Sequence, residues 1–384
     1  MLPPLSLYVH FPWCVRKCPY CDFNSYTLRG ALAEDEYLEA LLQDLSAQSS
    51  AAAGRPVHSI FLGGGTPSLF SPAAIERLVQ AARARLTLVN EAEITLEANP
   101  GTVERGRFAD YRAAGITRVS LGAQSFSDSS LQILGRIHSA EETRRAAEEL
   151  HAAGLGNFNL DLMYALPGQD AAAALEDIES ALELEPRHLS HYQLTLEPGT
   201  LFSARPPVGL PPPDLSADIQ QVCRDRLADA GLPQYEVSAY ARAGARCRHN
   251  LNYWRFGDYL GIGAGAHGKV SAGTSDELSI VRTERPREPR RYLAAVTACE
   301  PPTNRSVPNA DRPFEYLMNA LRLTDGFEEC EFEDRTGLQF GPVSEPLHRL
   351  SHQGLLERRD RHWRATARGF DLLNEVLAEL LPPS

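Results

Sequence analysis

Six short runs rich in leucine, β-branched and aromatic residues recur through the first half of this 384-residue chain, each followed by a glycine or polar turn and then by an amphipathic helical stretch. They read LSLYVH, HSIFLGG, EITLEAN, RVSLGAQ, NFNLDLMY and HLSHYQLTL. Between them, residues 34–48 carry Leu38, Leu41, Leu42 and Leu45 on one stripe, and residues 171–184 form another helical segment. Strands separated by helices are rejoined in the same direction, so the alternation predicts a parallel sheet built from βα units. With 43% hydrophobic residues, the length suits one large domain and a smaller one.

Chemistry collects at the ends of these strands. Three cysteines follow the first, GGGTP follows the second, Glu97 closes the third, Gln124 closes the fourth, and Asp161 lies in the fifth. A polar residue at one strand end is ordinary, because strand ends meet solvent. Five in corresponding positions predict a single mouth, since α/β barrels gather their chemistry at the C-terminal ends of the strands.

The stretch SARPPVGLPPPD at 203–214 holds five prolines in twelve residues, which predicts a linker without helix or central strand. Beyond it come a helix near 216–230, a mixed segment, and from about residue 308 a compact tail. The tail's order of helix, GLLERRDRHWRAT and helix predicts a two-stranded wing between helices. Six arginines between residues 349 and 368 would suit a DNA-binding winged helix. The whole chain, however, sets 50 acidic residues against 38 Lys and Arg, a net charge of -12, so the wing reads as a solvated face and nucleic acid is not expected as a partner.

The opening residues lack the cationic lead and apolar core of an export signal, and no run approaches the roughly 20 apolar residues that span a bilayer. A cytoplasmic protein is expected. Seven cysteines, odd in number and scattered after the first three, argue against a disulfide framework.

Those first three, Cys14, Cys18 and Cys21 in HFPWCVRKCPYCDFNS, have three candidate uses. Structural zinc wants four ligands from paired clusters, and no second cluster follows at a suitable spacing. A redox dithiol needs only two residues between its cysteines, which leaves Cys14 unexplained. An iron–sulfur cubane held by three thiolates keeps one iron open to a ligand from outside the protein.

The spacing of CVRKCPYC, with an aromatic residue before its third cysteine, resembles the signature of radical S-adenosylmethionine (SAM) proteins. GGGTPS, LEANPGT, RVSLGAQSF, LGRIHS and NLDLMYALPGQ follow in the order found there, so the resemblance covers roughly residues 5–270. Within that superfamily the chain is most similar to oxygen-independent coproporphyrinogen III oxidases and their relatives, the HemW-type haem chaperones. The resemblance implies an α/β fold: a partial (β/α)6 TIM-like barrel with a C-terminal, mainly helical, winged-helix-like domain. Residues 1–214 would form the barrel, 215–307 a family-specific extension, and 308–384 the winged domain. It also implies a 4Fe-4S cluster on Cys14, Cys18 and Cys21, with SAM on the open iron. Tyr8 would stand beside that SAM, the backbone at Tyr20 near its adenine, and Gly64, Gly65 and Thr66 against its methionyl group. Glu97 would offer it a carboxylate, while Gln124, Arg136 and Asp161 match a group that contacts a second SAM in the oxidases. Whether one or two SAM molecules bind is left open.

Two departures from the oxidases bear on function. Where they carry a further cysteine two residues after the third, this chain has Phe23, and only thirteen residues precede Cys14 where the oxidases have a longer arm. HNLNYW at 249–254 matches the His-Asn-x-x-Tyr-Trp motif of the chaperones. Neutral imidazole is a good axial ligand for haem iron, and aromatic rings pack on a porphyrin face, so His249 is expected to bind haem; a packed core histidine is the alternative. Cys247 reads as a free buried thiol. The expected function is haem binding and transfer to an acceptor protein, respiratory haem proteins and transient contact with a membrane protein being among the partners this allows. Oxidative decarboxylation of coproporphyrinogen III is the enzymatic alternative, and the oligomeric state is left open.

Overall fold

The computed structural model describes residues 2–101, 106–274 and 277–381. The six expected strands form as β1 (Leu5–Phe11), β2 (Pro56–Gly64), β3 (Thr87–Ala98), β4 (Arg118–Gln124), β5 (Phe158–Tyr164) and β6 (His188–Gln193). They lie side by side in chain order, every neighbour parallel. The helices between them start on local signals. Ser139 and Glu142 close a reciprocal capping box on Ala140–Ala152, and the Asp170 side chain accepts from Ala173 N at 2.9 Å to open Ala171–Glu183.

Side chains alternate across a strand, and here the two faces differ in kind. In β1, Leu5, Leu7, Val9 and Phe11 join the core beneath the helices, where Leu38, Leu41, Leu45, Ile75, Leu78 and Ile178 meet them. Ser6, Tyr8 and His10 fall on the opposite face. Register carries that face across the sheet: Ser6 pairs with Ser59, Tyr8 with Phe61, Ser59 with Glu93, Glu97 with Ser120, Ser120 with Asn159, and Asp161 with Ser190. The barrel therefore has an oily outside under its helices and a polar lumen.

The chain after the proline-rich stretch extends both edges of this sheet. Two short strands, β7 (Gln234–Glu236) and β8 (Ala239–Ala241), add antiparallel beyond β6. On the other side β9 (Asp258–Ile262) runs parallel to β1, and β10 (His267–Ala272), β11 (Ser279–Glu284) and β12 (Thr303–Ser306) continue antiparallel. The helix Pro213–Asp229 buries Ile219, Cys223 and Leu227 in the same core as the barrel helices. Both ends of the proline-rich stretch depart from the expected linker. Leu201–Ala204 is a short helix, and Pro213 opens the next one at a position that needs no backbone N–H.

The tail forms a second core around Tyr316, Phe327, Phe332, Leu347 and Trp363, which Phe256 and Ile280 of the preceding segment enter. Its wing is the pair Leu356–Arg359 and His362–Ala365, joined by Phe327–Glu328. The arginines there face carboxylates: Arg358 and Arg361 reach Glu329 at 2.8 and 3.1 Å, Arg349 reaches Glu345 at 3.2 Å, and Arg364 pairs with Glu357. Five of the six arginines there are thus engaged with three carboxylates, Arg359 sharing Glu357 at 3.7 Å.

One buried node ties the two halves of the chain together. Asp258, at the start of β9, receives Arg55 at 2.7 Å, Lys269 at 2.9 Å, and both the N–H and hydroxyl of Ser271 at 2.8 Å. Asp258 and Lys269 are 0% and 1% exposed. Removing one member of such a group strands a buried charge, so Asp258→Ala is expected to cost about 3–5 kcal/mol in urea unfolding. A loss under about 1 kcal/mol would show that Lys269 reaches water or another partner.

Candidate functional site

The loop that follows β1 is held from several sides. Tyr26 N donates to Pro12 O at 2.7 Å and Leu28 N to Cys14 O at 2.8 Å, while Lys17 Nζ donates to the carbonyls of Phe23 and Ser25 at 3.0 Å each. The glycine-rich loop after β2 braces against it, Gly65 N on Phe11 O at 2.6 Å and Thr66 N on Trp13 O at 2.7 Å. Gly64 has φ +111°, and a Cβ there would run into the His10 ring; one on Gly65 would stand 2.6 Å from Trp13 O. Only glycine permits this approach.

Cys14, Cys18, Tyr20, Cys21, Gly64, Gly65, Thr66, Glu97, Gln124, Arg136 and Asp161 line one cavity. Tyr8 does not: it lines a second, adjoining cavity with His249, and Gly64, Glu97 and Phe23 border both. Gly64 and Glu97, two of the residues expected against SAM, thus border the cavity that Tyr8 lines. It is the strand alternation that carries Tyr8 toward Phe61, with rings 6.4 Å apart, and its hydroxyl toward His10 Nδ1 at 2.9 Å.

In the first cavity burial pushes the Cys14 and Cys21 thiols up, and Cys18 Sγ accepts from Arg136 Nη1 at 3.5 Å. Arg136 also donates to Asn99 Oδ1 at 2.5 Å and Gly122 O at 2.8 Å, and its buried Nε has no partner. Arg136 thus braces the cysteine loop as well as facing the cavity. Tyr20 rests against Phe202. Glu97 accepts from Gly64 N at 3.0 Å; burial, aided by the nearby Asp161, pushes its carboxyl up to about 8. Asp161 is likewise raised by burial, and receives Asn159 Nδ2 at 2.8 Å and the Ser120 hydroxyl at 3.1 Å. Gln124, at φ +69°, accepts the Tyr192 hydroxyl at 2.6 Å.

Among the described residues no three His, Cys, Asp or Glu side chains are grouped to chelate a single ion. Three thiols along one wall fit a cluster in which each binds its own iron better than a four-ligand zinc. Arginine and backbone N–H groups beside them suit the negative charge of such a cluster.

His249 belongs to the helix Arg248–Trp254, which lies against lumen-facing residues of β1, β2 and β3. Its Nδ1 meets Ser59 Oγ at 3.3 Å, its ring stands 5.0 Å from Phe61 and 6.2 Å from Tyr8, and Nε2 has no hydrogen-bond partner among the described residues. Enclosure by protein pushes the imidazole down to about 3, so it is neutral. Cys247 is buried, its thiol pushed up to about 12 by burial and then by Glu93. From Cys247 a one-way chain of hydrogen bonds crosses the lumen. Cys247 N donates to Tyr235 Oη at 3.3 Å, Tyr235 to His188 Nε2 at 2.8 Å, His188 Nδ1 to Asn159 Oδ1 at 2.6 Å, and Asn159 Nδ2 to Asp161. Burial holds His188 neutral, which permits this single direction.

Several lining residues were not singled out from sequence: Asn99, Ser120 and Tyr192 in the first cavity, His10, Phe61 and Arg287 in the second. A signal existed for some of them. Ser120 and Phe61 lie an even number of residues from Gln124 and Gly63, and so share their face of the strand.

The sequence matches the family model of the radical SAM superfamily over residues 8–181 and that of the HemN C-terminal domain over residues 307–372. Heme chaperone HemW of Escherichia coli is 50% identical over 381 residues, covering 98% of each chain, and that of Haemophilus influenzae is 48% identical over 380 residues, covering 98% of this chain and 97% of its own. The mouse mitochondrial radical S-adenosyl methionine domain-containing protein 1 is 38% identical, covering 98% of this chain and 87% of its own. Among solved structures, coproporphyrinogen III oxidase (HemN) of Escherichia coli superposes with a TM-score of 0.82 at 24% identity, covering 98% of this chain and 90% of the other, a likeness of fold. Membership of the superfamily implies a 4Fe-4S cluster and SAM. With half its residues shared with a curated relative over nearly the full length of both, the chain belongs to the HemW family of the radical SAM superfamily.

Proposed function

We propose that this protein is a haem chaperone, which takes haem into the second cavity and passes it to an acceptor protein. The observation that carries the reading is the second cavity itself: a neutral imidazole with an unpartnered Nε2, walled by Tyr8, Phe61, Tyr253, Trp254 and Tyr259 in a space of about 650 Å³. That volume lies in the range of small-molecule sites.

The first cavity would hold the cluster on Cys14, Cys18 and Cys21. SAM would lie along the backbone of Gly64, Gly65 and Thr66, near Tyr20 and Glu97. Gln124, Arg136 and Asp161 stand where a second SAM would contact them. A bound cluster with SAM supplies one-electron chemistry; the chain's own part is to hold the loop, shield it from water and keep Glu97 and Asp161 hydrogen-bonded. No helix among the described residues is long and apolar enough to cross a membrane. We place the protein in the cytoplasm, where thiols stay reduced, with acceptors such as respiratory haem proteins reached by transient contact with a membrane protein.

Haem titration of the anaerobically reconstituted chain is expected to give a Soret band, and His249→Ala to weaken binding at least about tenfold or to move the band by losing the axial ligand. The same sample, given coproporphyrinogen III, SAM and a reductant, is expected to form no protoporphyrinogen. An absent band, or a His249→Ala variant indistinguishable from the parent, would refute haem ligation at this site.

Glu97 gives a second test. In the cofactor-free chain its folded carboxyl titrates at about 8 against an ordinary 4.5, so the unfolded chain releases this proton first as pH rises. Folding stability therefore falls between about pH 4.5 and pH 8 and stays lowered above it. Glu97→Gln cannot ionise, and is expected to gain stability over the parent through that window in urea unfolding at pH 5, 6.5 and 8; a gain independent of pH would show that the carboxyl is not held protonated.

A further inference from the structure

The second cavity is aromatic around His249 and carries the Arg287 guanidinium on its rim, beside His267, whose ring lies 3.8 Å from Glu284. Nearby arginines are occupied: Arg282 pairs with Glu315 at 2.6 Å and Arg285 with Asp44. Arg287 is exposed, and its guanidinium has no ion pair and no hydrogen bond among the described residues. Its backbone, by contrast, is fixed beside the cysteine loop, the carbonyl accepting Asn24 Nδ2 at 2.9 Å and the Tyr26 hydroxyl at 3.3 Å. Burial first, and then the nearby His267 and Arg287, push His10 down, so the Arg287 guanidinium is felt at the cavity wall.

Arg287 also lines an adjoining cleft with Lys17 and Arg291, opposite Asp22 and Glu288. Glu288 caps the helix that follows, its carboxylate accepting Arg290 N at 3.1 Å and Arg291 N at 2.8 Å. Three cationic side chains, Lys17, Arg287 and Arg291, against the two carboxylates of Asp22 and Glu288 leave this cleft one positive charge in excess, on a chain whose net charge is -12. A ligand that matches is flat and apolar over most of its area, accepts imidazole, and carries anions along one edge.

We propose that Arg287 receives a propionate carboxylate of haem, and that Arg291 in the adjoining cleft receives the second, so that the macrocycle is held with its propionate edge outward and its iron at His249. This deepens, and rests on, the haem-binding reading above. A planar guanidinium suits a carboxylate through paired N–H donors, which lysine does not reproduce.

The test titrates iron protoporphyrin IX and its dimethyl ester into the full chain with its cluster reconstituted, following the Soret band. The parent is expected to bind the diacid about tenfold more tightly than the diester. Arg287→Ala should remove most of that preference by weakening the diacid alone, and Arg287→Glu should weaken the diacid further while leaving the diester unchanged. Equal binding of both by the parent, or equal weakening of both in Arg287→Ala, overturns the carboxylate assignment while haem binding stands. Loss of the preference in excess SAM would reassign Arg287 to the SAM carboxylate and equally overturn it. If neither porphyrin gives a band, both this assignment and the haem reading fall. Because the Arg287 side chain supports no other residue, its variants should match the parent in circular dichroism.

Discussion

The parallel seating of β9 on β1 is the constraint on which the rest depends. β1 delivers the cysteine loop at its end and Tyr8 and His10 along its inner face, and it stays buried because β2 and β9 flank it. The Asp258 node fixes β9 at the point where it meets Arg55 from the first half of the chain. The helix Arg248–Trp254 ends just before β9, so seating one draws the other into the lumen. Asn252 records both events, its amide donating to Ser6 Oγ at 3.0 Å and to Asp258 O at 2.8 Å. The position of His249 is thus a consequence of how the sheet is completed.

A polar lumen costs free energy unless every group in it is paired or neutral. The interior limits that cost in two ways. Glu93 is spent at the start of the His249 helix, accepting Arg248 N at 2.8 Å and His249 N at 3.4 Å, where a carboxylate also suits the helix dipole. Glu97, Asp161 and His188 are instead shifted toward their neutral forms by burial. Binding a cationic ligand near Glu97 would let that carboxyl ionise, so the site's readiness for charge is held in reserve by the same burial that keeps it dry.

The parallel six-strand pattern was readable because each strand has a distinct run and each helix an apolar stripe. So was the cavity of Cys14, Cys18, Cys21, Gly64, Glu97, Gln124, Arg136 and Asp161, because strand ends in a parallel barrel converge by geometry. Which of the two cavities Tyr8 lines was not legible, for a related reason. Tyr8 lies six residues before Cys14, and sequence distance says nothing of which cavity its face of the strand meets. Arg287 and the sheet's far edge were invisible, since β9 joins β1 across about 250 residues, no local pattern announces a partner so distant, and β10 to β12 build outward from β9. The proline-rich stretch misled at its ends, because proline at a helix's first turn is favourable rather than forbidden.

Phe23 stands where the two cavities meet. Its side chain borders both and the adjoining cleft, and it is 61% exposed, the most exposed aromatic residue among the large hydrophobics left in solvent. An apolar ring of this size gains about 1.5–3 kcal/mol when fully covered, so at a rim it favours a ligand that offers it a face. A cysteine there would instead have offered a fourth thiol, with its own metal affinity and reactivity. The ring at this position therefore makes the border between the cysteine-lined cavity and the His249 cavity apolar, which is the surface the proposed flat ligand would meet.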